Sequence, residues 1–109
     1  MDYKILIADD ERIERQGIRS LLERKDYNLE ILEASNGKEA LEIARSQKPD
    51  ILLSDIKMPF MTGQELMEKV RKFDSEMAII IFSGYSDFSF AQEAIQYGVL
   101  DYVLKPVDP

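Results

Sequence analysis

Two patterns take turns along the chain. Short apolar runs are followed by longer stretches in which apolar residues return every third or fourth position among charges. The first run, Lys4 to Ala8 (KILIA), is short and bounded by charge, as a buried strand is. From Glu11 to about Lys25, Ile13, Ile18, Leu21 and Leu22 recur at helical spacing and predict an amphipathic helix. Leu29 to Ala34 (LEILEA) interleaves charge with apolar residues, which suits a strand at a sheet margin. Asn36 followed by Glu39, with Ala40, Leu41 and Ala44 behind, predicts a second helix with a capping box, ending before Lys48-Pro49.

The alternation continues with a third strand over Asp50 to Ser54 and a third helix from Gly63 whose stripe is Leu66, Val70 and Phe73. Met77 to Phe82 (MAIIIF) is the most hydrophobic run and is expected to lie centrally. Asp87 is placed to cap a fourth helix that packs through Phe88, Ala91 and Ile95 and ends at Gly98 in a left-handed turn. A second stripe, Phe90, Ala94 and Tyr97, reads either as further burial or as a regulated dimer face. Leu100 to Leu104 is the fifth strand. Strands separated by helices pair in parallel through right-handed crossovers, with helices on both faces. A fifth helix is due after Lys105-Pro106, and its absence from the 109 residues is expected to leave apolar sheet surface uncovered.

Each strand expected to be central finishes on a polar residue: Asp9-Asp10, then Asp55, then Ser83, then Lys105. The carboxyl ends of parallel strands share one edge, where ligands bind, so these distant residues should converge. Gathered carboxylates repel unless one is protonated or a cation joins them. Magnesium, with its preference for a few carboxylates and phosphate oxygens, answers that need. In this reading Asp10 and Asp55 ligate directly, a carbonyl just after Asp55 adds an oxygen, and Asp9 acts through water. Ser83 and Lys105 suit the oxygens of a phosphoryl group, leaving Asp55 as a carboxylate nucleophile. Taken singly, each residue has a plainer role: Asp9 or Asp10 as a helix cap, Asp55 as a turn former, Ser83 and Lys105 as surface groups, Tyr102 as packing. Their conjunction at one edge is what points to chemistry.

Composition narrows the choice. A formal charge of −7 argues against direct nucleic-acid binding by this domain, and the absence of histidine excludes imidazole catalysis and histidine-based zinc sites. No apolar run is long enough to span a bilayer, the start lacks the regions of a secretory signal, and there is no cysteine, which together predict a cytoplasmic domain.

With Asp9-Asp10, Asp55 followed by IKMPFMTG, Ser83-Gly84 and Lys105-Pro106 in place, the chain resembles the receiver domain of a two-component response regulator. The stretch SGYSDFSFAQEAIQYGVLDYVLKPV is most similar to receivers joined to arabinose-regulator-type helix-turn-helix DNA-binding domains. The resemblance implies a flavodoxin-like, doubly wound five-stranded parallel sheet of order 2-1-3-4-5. It implies phosphorylation of Asp55 by a sensor histidine kinase, with Mg2+, or Mn2+ in its place, held by Asp9, Asp10, Asp55 and the carbonyl of Lys57. By the same resemblance Lys105 contacts the phosphoryl group through a chain whose Lys105-Pro106 peptide is cis. Ser83 and Tyr102 switch, and Lys57 and Tyr85 set the phosphate lifetime. The expected output is transcriptional, through a downstream domain, with a homodimer through the fourth helix and fifth strand. Two other functions compete: a magnesium-dependent phosphatase with an aspartyl nucleophile, whose Asp-x-Asp spacing "ADDER" lacks, and a phosphate-independent binding module.

Overall fold

The computed structural model describes residues 3–25, 28–84, 92 and 94–104, apart from the side chains of Ser83 and Leu104. Its elements are β1 (Tyr3–Ala8), α1 (Arg12–Glu23), β2 (Leu29–Ala34), α2 (Gly37–Gln47), β3 (Ile51–Ser54), α3 (Gly63–Phe73), β4 (Ala78–Ser83) and β5 (Asp101–Leu104). All neighbouring strands are parallel, in the order β2-β1-β3-β4-β5. The charge-interrupted β2 takes one edge as expected. The apolar β4 is interior but not central, since β3 holds the middle.

Alternate residues of each strand feed two cores. Leu6, Ala8, Leu52, Ile79 and Ile81 pack with Ala40, Leu41 and Ala44 of α2 and Leu66, Met67 and Val70 of α3, and these strand residues are fully buried. The opposite face joins Ile5 and Ile7 to Ile18 and Leu22 of α1. Coverage there is partial: Ile51, Leu53, Ile80 and Phe82 remain half-buried.

Local signals explain most termini. Asn36 caps α2 by accepting from Glu39 N at 2.8 Å, but the Glu39 carboxylate reaches back to Ser35 N at 2.9 Å rather than to Asn36 itself. The full capping box belongs to α3, between Thr62 and Glu65. Lys48 closes α2 in the left-handed region, at φ 48°.

Three sequence expectations need correction. Ile13 is 83% exposed. Five residues from Ile18 is roughly 140° around a helix, so Ile13 faces away from the sheet that Ile18 covers. Phe73, at the end of the α3 stripe, overhangs the core and takes the Arg45 guanidinium over its ring at 5.7 Å. Before β5, residues 92 and 94–96 are helical and Gly98 has φ 66°, as the expected helix end requires. There the faces are exchanged: Ala94 is buried and Tyr97 packs on the core, whereas Ile95 is 75% exposed. Asp87, Phe88, Phe90 and Ala91 lie outside the described residues.

Arg71 of α3 accounts for the Tyr97 side. Its guanidinium donates to four carbonyls: Tyr97 at 2.7 Å, Met77 at 2.7 Å, Asp74 at 3.2 Å and Gly98 at 3.2 Å. One cation thus ties the end of α3, the turn into β4 and the turn into β5. Arg71→Ala is expected to lose about 2 kcal/mol, since bonds from a charged donor are worth more than neutral ones. Urea unfolding followed by circular dichroism would check this, and an unchanged midpoint would refute it.

Candidate functional site

The sheet order reverses between β1 and β3, and in such sheets the crevice beyond the strand ends at that point is the usual ligand site. Ala8 pairs with Ser54, so Asp9 and Asp55 follow side by side. Backbone bonds hold both: Asp9 N donates to Ala34 O at 3.1 Å, and Asp55 N donates to Ala8 O at 2.9 Å. Asp9 is 1% exposed and Asp55 9%.

Each carboxylate is oriented by its own neighbours. Asp9 Oδ1 accepts from Glu11 N at 2.9 Å, at the start of α1. Asp55 Oδ1 accepts from Ile56 N at 2.7 Å, and the buried Ser54 hydroxyl donates to Asp55 O at 2.8 Å. A helix-cap role does not account for Asp9, because the N-cap position is Glu11.

The acidic group differs from the one expected. Asp9, Asp55 and Glu14 of α1 each bring a carboxylate oxygen within 4.8 Å of the others. Asp10 is exposed and is not part of that group. Asp9, which the sequence places one water away from a metal, is therefore the partner set beside Asp55. Glu14 escaped sequence reasoning, although its position one turn past Asp10 at the start of α1 was the available signal. Three clustered hard oxygen donors, two of them buried, suit a divalent cation of the magnesium type.

The loop after Asp55 is held tightly. Gly63 N donates to Ile56 O at 2.7 Å, and the Gly63 Cα lies so near the Asp55 carbonyl that a Cβ would overlap it. Gly37, at the start of α2, stands in the same relation to the Met61 carbonyl. Between them Met61 N closes a three-residue turn on Pro59 O at 2.8 Å, with Phe60 at φ 70° and 85% exposed. Lys57 is also exposed on this loop.

Of the other expected residues, Ser83 is the last of β4 and pairs with Leu104. Ser54 pairs with Ile81, which puts the Ser83 backbone just beyond the level of Asp55. Tyr102 lies on β5 beside Ile81 and packs against the α2–α3 core. Lys105, Pro106 and Tyr85 lie outside the described residues.

Arg15 supports the site from behind. It donates to Asp9 O at 2.7 Å and to Glu33 Oε1 at 3.1 Å, while Arg19 donates to Glu33 Oε2 at 2.8 Å. Burial works to raise the Glu33 pKa, but the bonds from Arg19 and Arg15 outweigh it and hold the carboxyl below its ordinary 4.5. A depressed folded-state value means stability that is complete above the unfolded pKa and lost as pH falls through the folded one. Glu33→Gln should therefore cost stability at neutral pH, and the gap from the parent should shrink below about pH 4.5. Urea midpoints across that range would test it; a gap that does not change with pH would exclude the pairing.

Comparison with known proteins gives a consistent picture. The response regulator receiver domain family matches residues 5–109. The Bacillus subtilis (strain 168) protein described as "Uncharacterized transcriptional regulatory protein YesN" is 42% identical over 105 residues, covering 95% of this chain and 28% of that protein. The transcriptional regulatory protein HptR of Staphylococcus aureus is 39% identical over 107 residues, covering 97% of this chain and 42% of its own. The solved REC domain of AraT, a response regulator from Geobacillus stearothermophilus, is 46% identical, with a TM-score of 0.91 over 100% of this chain and 85% of that one. The chain thus spans less than half the length of these two curated relatives.

Proposed function

The chain belongs to the response regulator receiver domain family, and on that premise we propose that it accepts a phosphoryl group on Asp55 from a sensor histidine kinase. The observation that carries this reading is the buried Asp9–Asp55 pair at the carboxyl edge of the sheet, where the strand order reverses. A carboxylate oxygen of Asp55 attacks phosphorus, the new O–P bond forms as the N–P bond of the donor breaks, and the leaving imidazole nitrogen takes up a proton. The Ile56 N–H holds one Asp55 oxygen and so orients the carboxylate plane for attack.

Receiver domains bind Mg2+ at an acidic pocket, and the donor set here fits it. A bound divalent cation supplies the positive charge that lets an anionic nucleophile approach an anionic phosphoryl group. We assign Asp9 and Asp55 to it, with Asp10 and the Lys57 carbonyl as further oxygens. Ser83 and Lys105 are assigned to the phosphoryl oxygens, Ser83 and Tyr102 to the switch, and Lys57 and Tyr85 to the lifetime of the phosphorylated state. The domain catalyses only its own phosphorylation and dephosphorylation.

Homologues carry transcriptional-regulator names, and the proposed output is transcription through a DNA-binding domain in the longer protein. A fifth helix after β5 in that protein would cover Leu53 and Phe82, whose half-exposure supports it. For a dimer through the fourth helix and β5, the exposed large apolar residues among those described are Ile95 and Leu100. No helix among the described residues is long and apolar enough to cross a membrane, and a cytoplasmic location is part of the proposal.

Intact mass after incubation with acetyl phosphate tests this directly. One phosphoryl group should be gained with magnesium and none with a chelator. A folded sample that gains nothing would overturn the reading, and steady release of phosphate over many turnovers would favour the phosphatase instead.

A further inference from the structure

The backbone of Asp9 is gripped on both sides of its Cα. Its N–H donates to Ala34 O at 3.1 Å, and its carbonyl accepts from the Arg15 guanidinium at 2.7 Å. Each peptide unit is planar, so fixing the two planes fixes the direction in which the Asp9 side chain leaves the chain. Arg15 also donates through Nε to Glu33 at 3.1 Å, and Glu33 immediately precedes Ala34 on β2. The bonds therefore close a ring from Asp9 to Ala34, along β2 to Glu33, across to Arg15 and back to Asp9. Little of it meets water, since the Arg15 side chain is 14% exposed. Arg19 grips the other Glu33 oxygen at 2.8 Å, and its remaining ion pair goes to Glu23.

We infer that Arg15 is a positioning residue for Asp9: braced by Glu33, it sets the angle at which that carboxylate meets the divalent cation and so tightens cation binding. This inference rests on the metal-dependent reading of the same pocket. Groups that orient a ligand from behind commonly decide how well the ligand holds its metal. A rival effect has the opposite sign. Arg15 is a cation beside an acidic pocket, so charge alone predicts that its removal lets a divalent ion bind more tightly. The Glu33 carboxylate offsets that charge, and the loss of alignment is expected to win.

The experiment is a calorimetric titration of the chain with magnesium chloride, in the absence of any phosphoryl donor. Arg15→Met keeps the stem and loses the fork. Arg15→Lys keeps the charge, but a single ammonium does not reproduce the planar fork that joins Asp9 to Glu33. Arg19→Met is the control, because it strips a cation from the same Glu33 and leaves Arg15 on the Asp9 carbonyl. Circular dichroism establishes which variants are folded, and Arg15→Lys decides the matter if Arg15→Met is not. Magnesium is expected to bind about tenfold more weakly to Arg15→Met and about threefold more weakly to Arg15→Lys. Arg19→Met should stay within about twofold of the parent, as its charge is more exposed and better screened. Initial labelling rates with acetyl phosphate should fall in step at limiting magnesium and recover as magnesium saturates. Folded Arg15 variants that bind magnesium like the parent or more tightly, or an equal loss in Arg19→Met, would overturn the inference and leave the proposed function standing. A parent chain that binds no magnesium would overturn both.

Discussion

Asp55→Asn is expected to abolish phosphoryl gain, by at least ~100-fold in initial rate, while leaving the fold in place. The side chain keeps its shape and still offers Oδ1 to Ile56 N, the bond that is 2.7 Å in the parent. The backbone anchors to Ala8 O and the Ser54 hydroxyl do not involve the carboxylate at all. What is lost is the anionic oxygen, because an amide is a poor nucleophile and a poor ligand for a hard cation. Intact mass with acetyl phosphate and magnesium reads the first effect, and thermal unfolding reads the second. Substantial labelling of the variant would mean that another residue is the acceptor. A collapse in melting temperature would mean that the carboxylate is structural.

Gly63→Ala should have the largest structural effect, a loss of about 3 kcal/mol at the upper end of ordinary overpacking. The added methyl would fall on the Asp55 carbonyl and close to the Ile56 Cα. Neither segment can yield cheaply: Asp55 N is bonded to Ala8 O, Gly63 N to Ile56 O, and the Ser54 hydroxyl to the Asp55 carbonyl itself. Any relief therefore moves the nucleophile, and the folded fraction should also phosphorylate about tenfold more slowly, as misplacement by ~1 Å can do. Gly17→Ala is the matched control. It lies within α1 with nothing near its Cβ position, and should be neutral or stabilising by up to about 1 kcal/mol. Urea midpoints and labelling rates on both variants would check the pair. Equal behaviour would show that the loop has slack.

The strands were readable because burial on both faces of a parallel sheet leaves continuous apolar runs, and β2 matched its predicted limits to the residue. The convergence of Asp9 with Asp55 followed from topology alone. Rotation of helices about their axes was harder to read. Glu14 turns toward the acidic pair, Ile13 turns away, and Ala94 with Tyr97 displaces Ile95 from the core, all matters of angle that a spacing pattern of three and four leaves open. Arg71 illustrates a second limit. Its partners are four backbone carbonyls, which every residue type carries equally, so no side-chain signal announces them.

The loop between Asp55 and Gly63 runs along a channel whose walls are glycines, Gly37 beside the Met61 carbonyl and Gly63 beside that of Asp55. Its width is set by atoms that are missing, so variation in this loop has only outward room. Lys57 and Phe60 stand in that outward room, one charged and one aromatic, both in solvent. Substitutions at those two positions are therefore expected to leave the backbone that carries Asp55 in place.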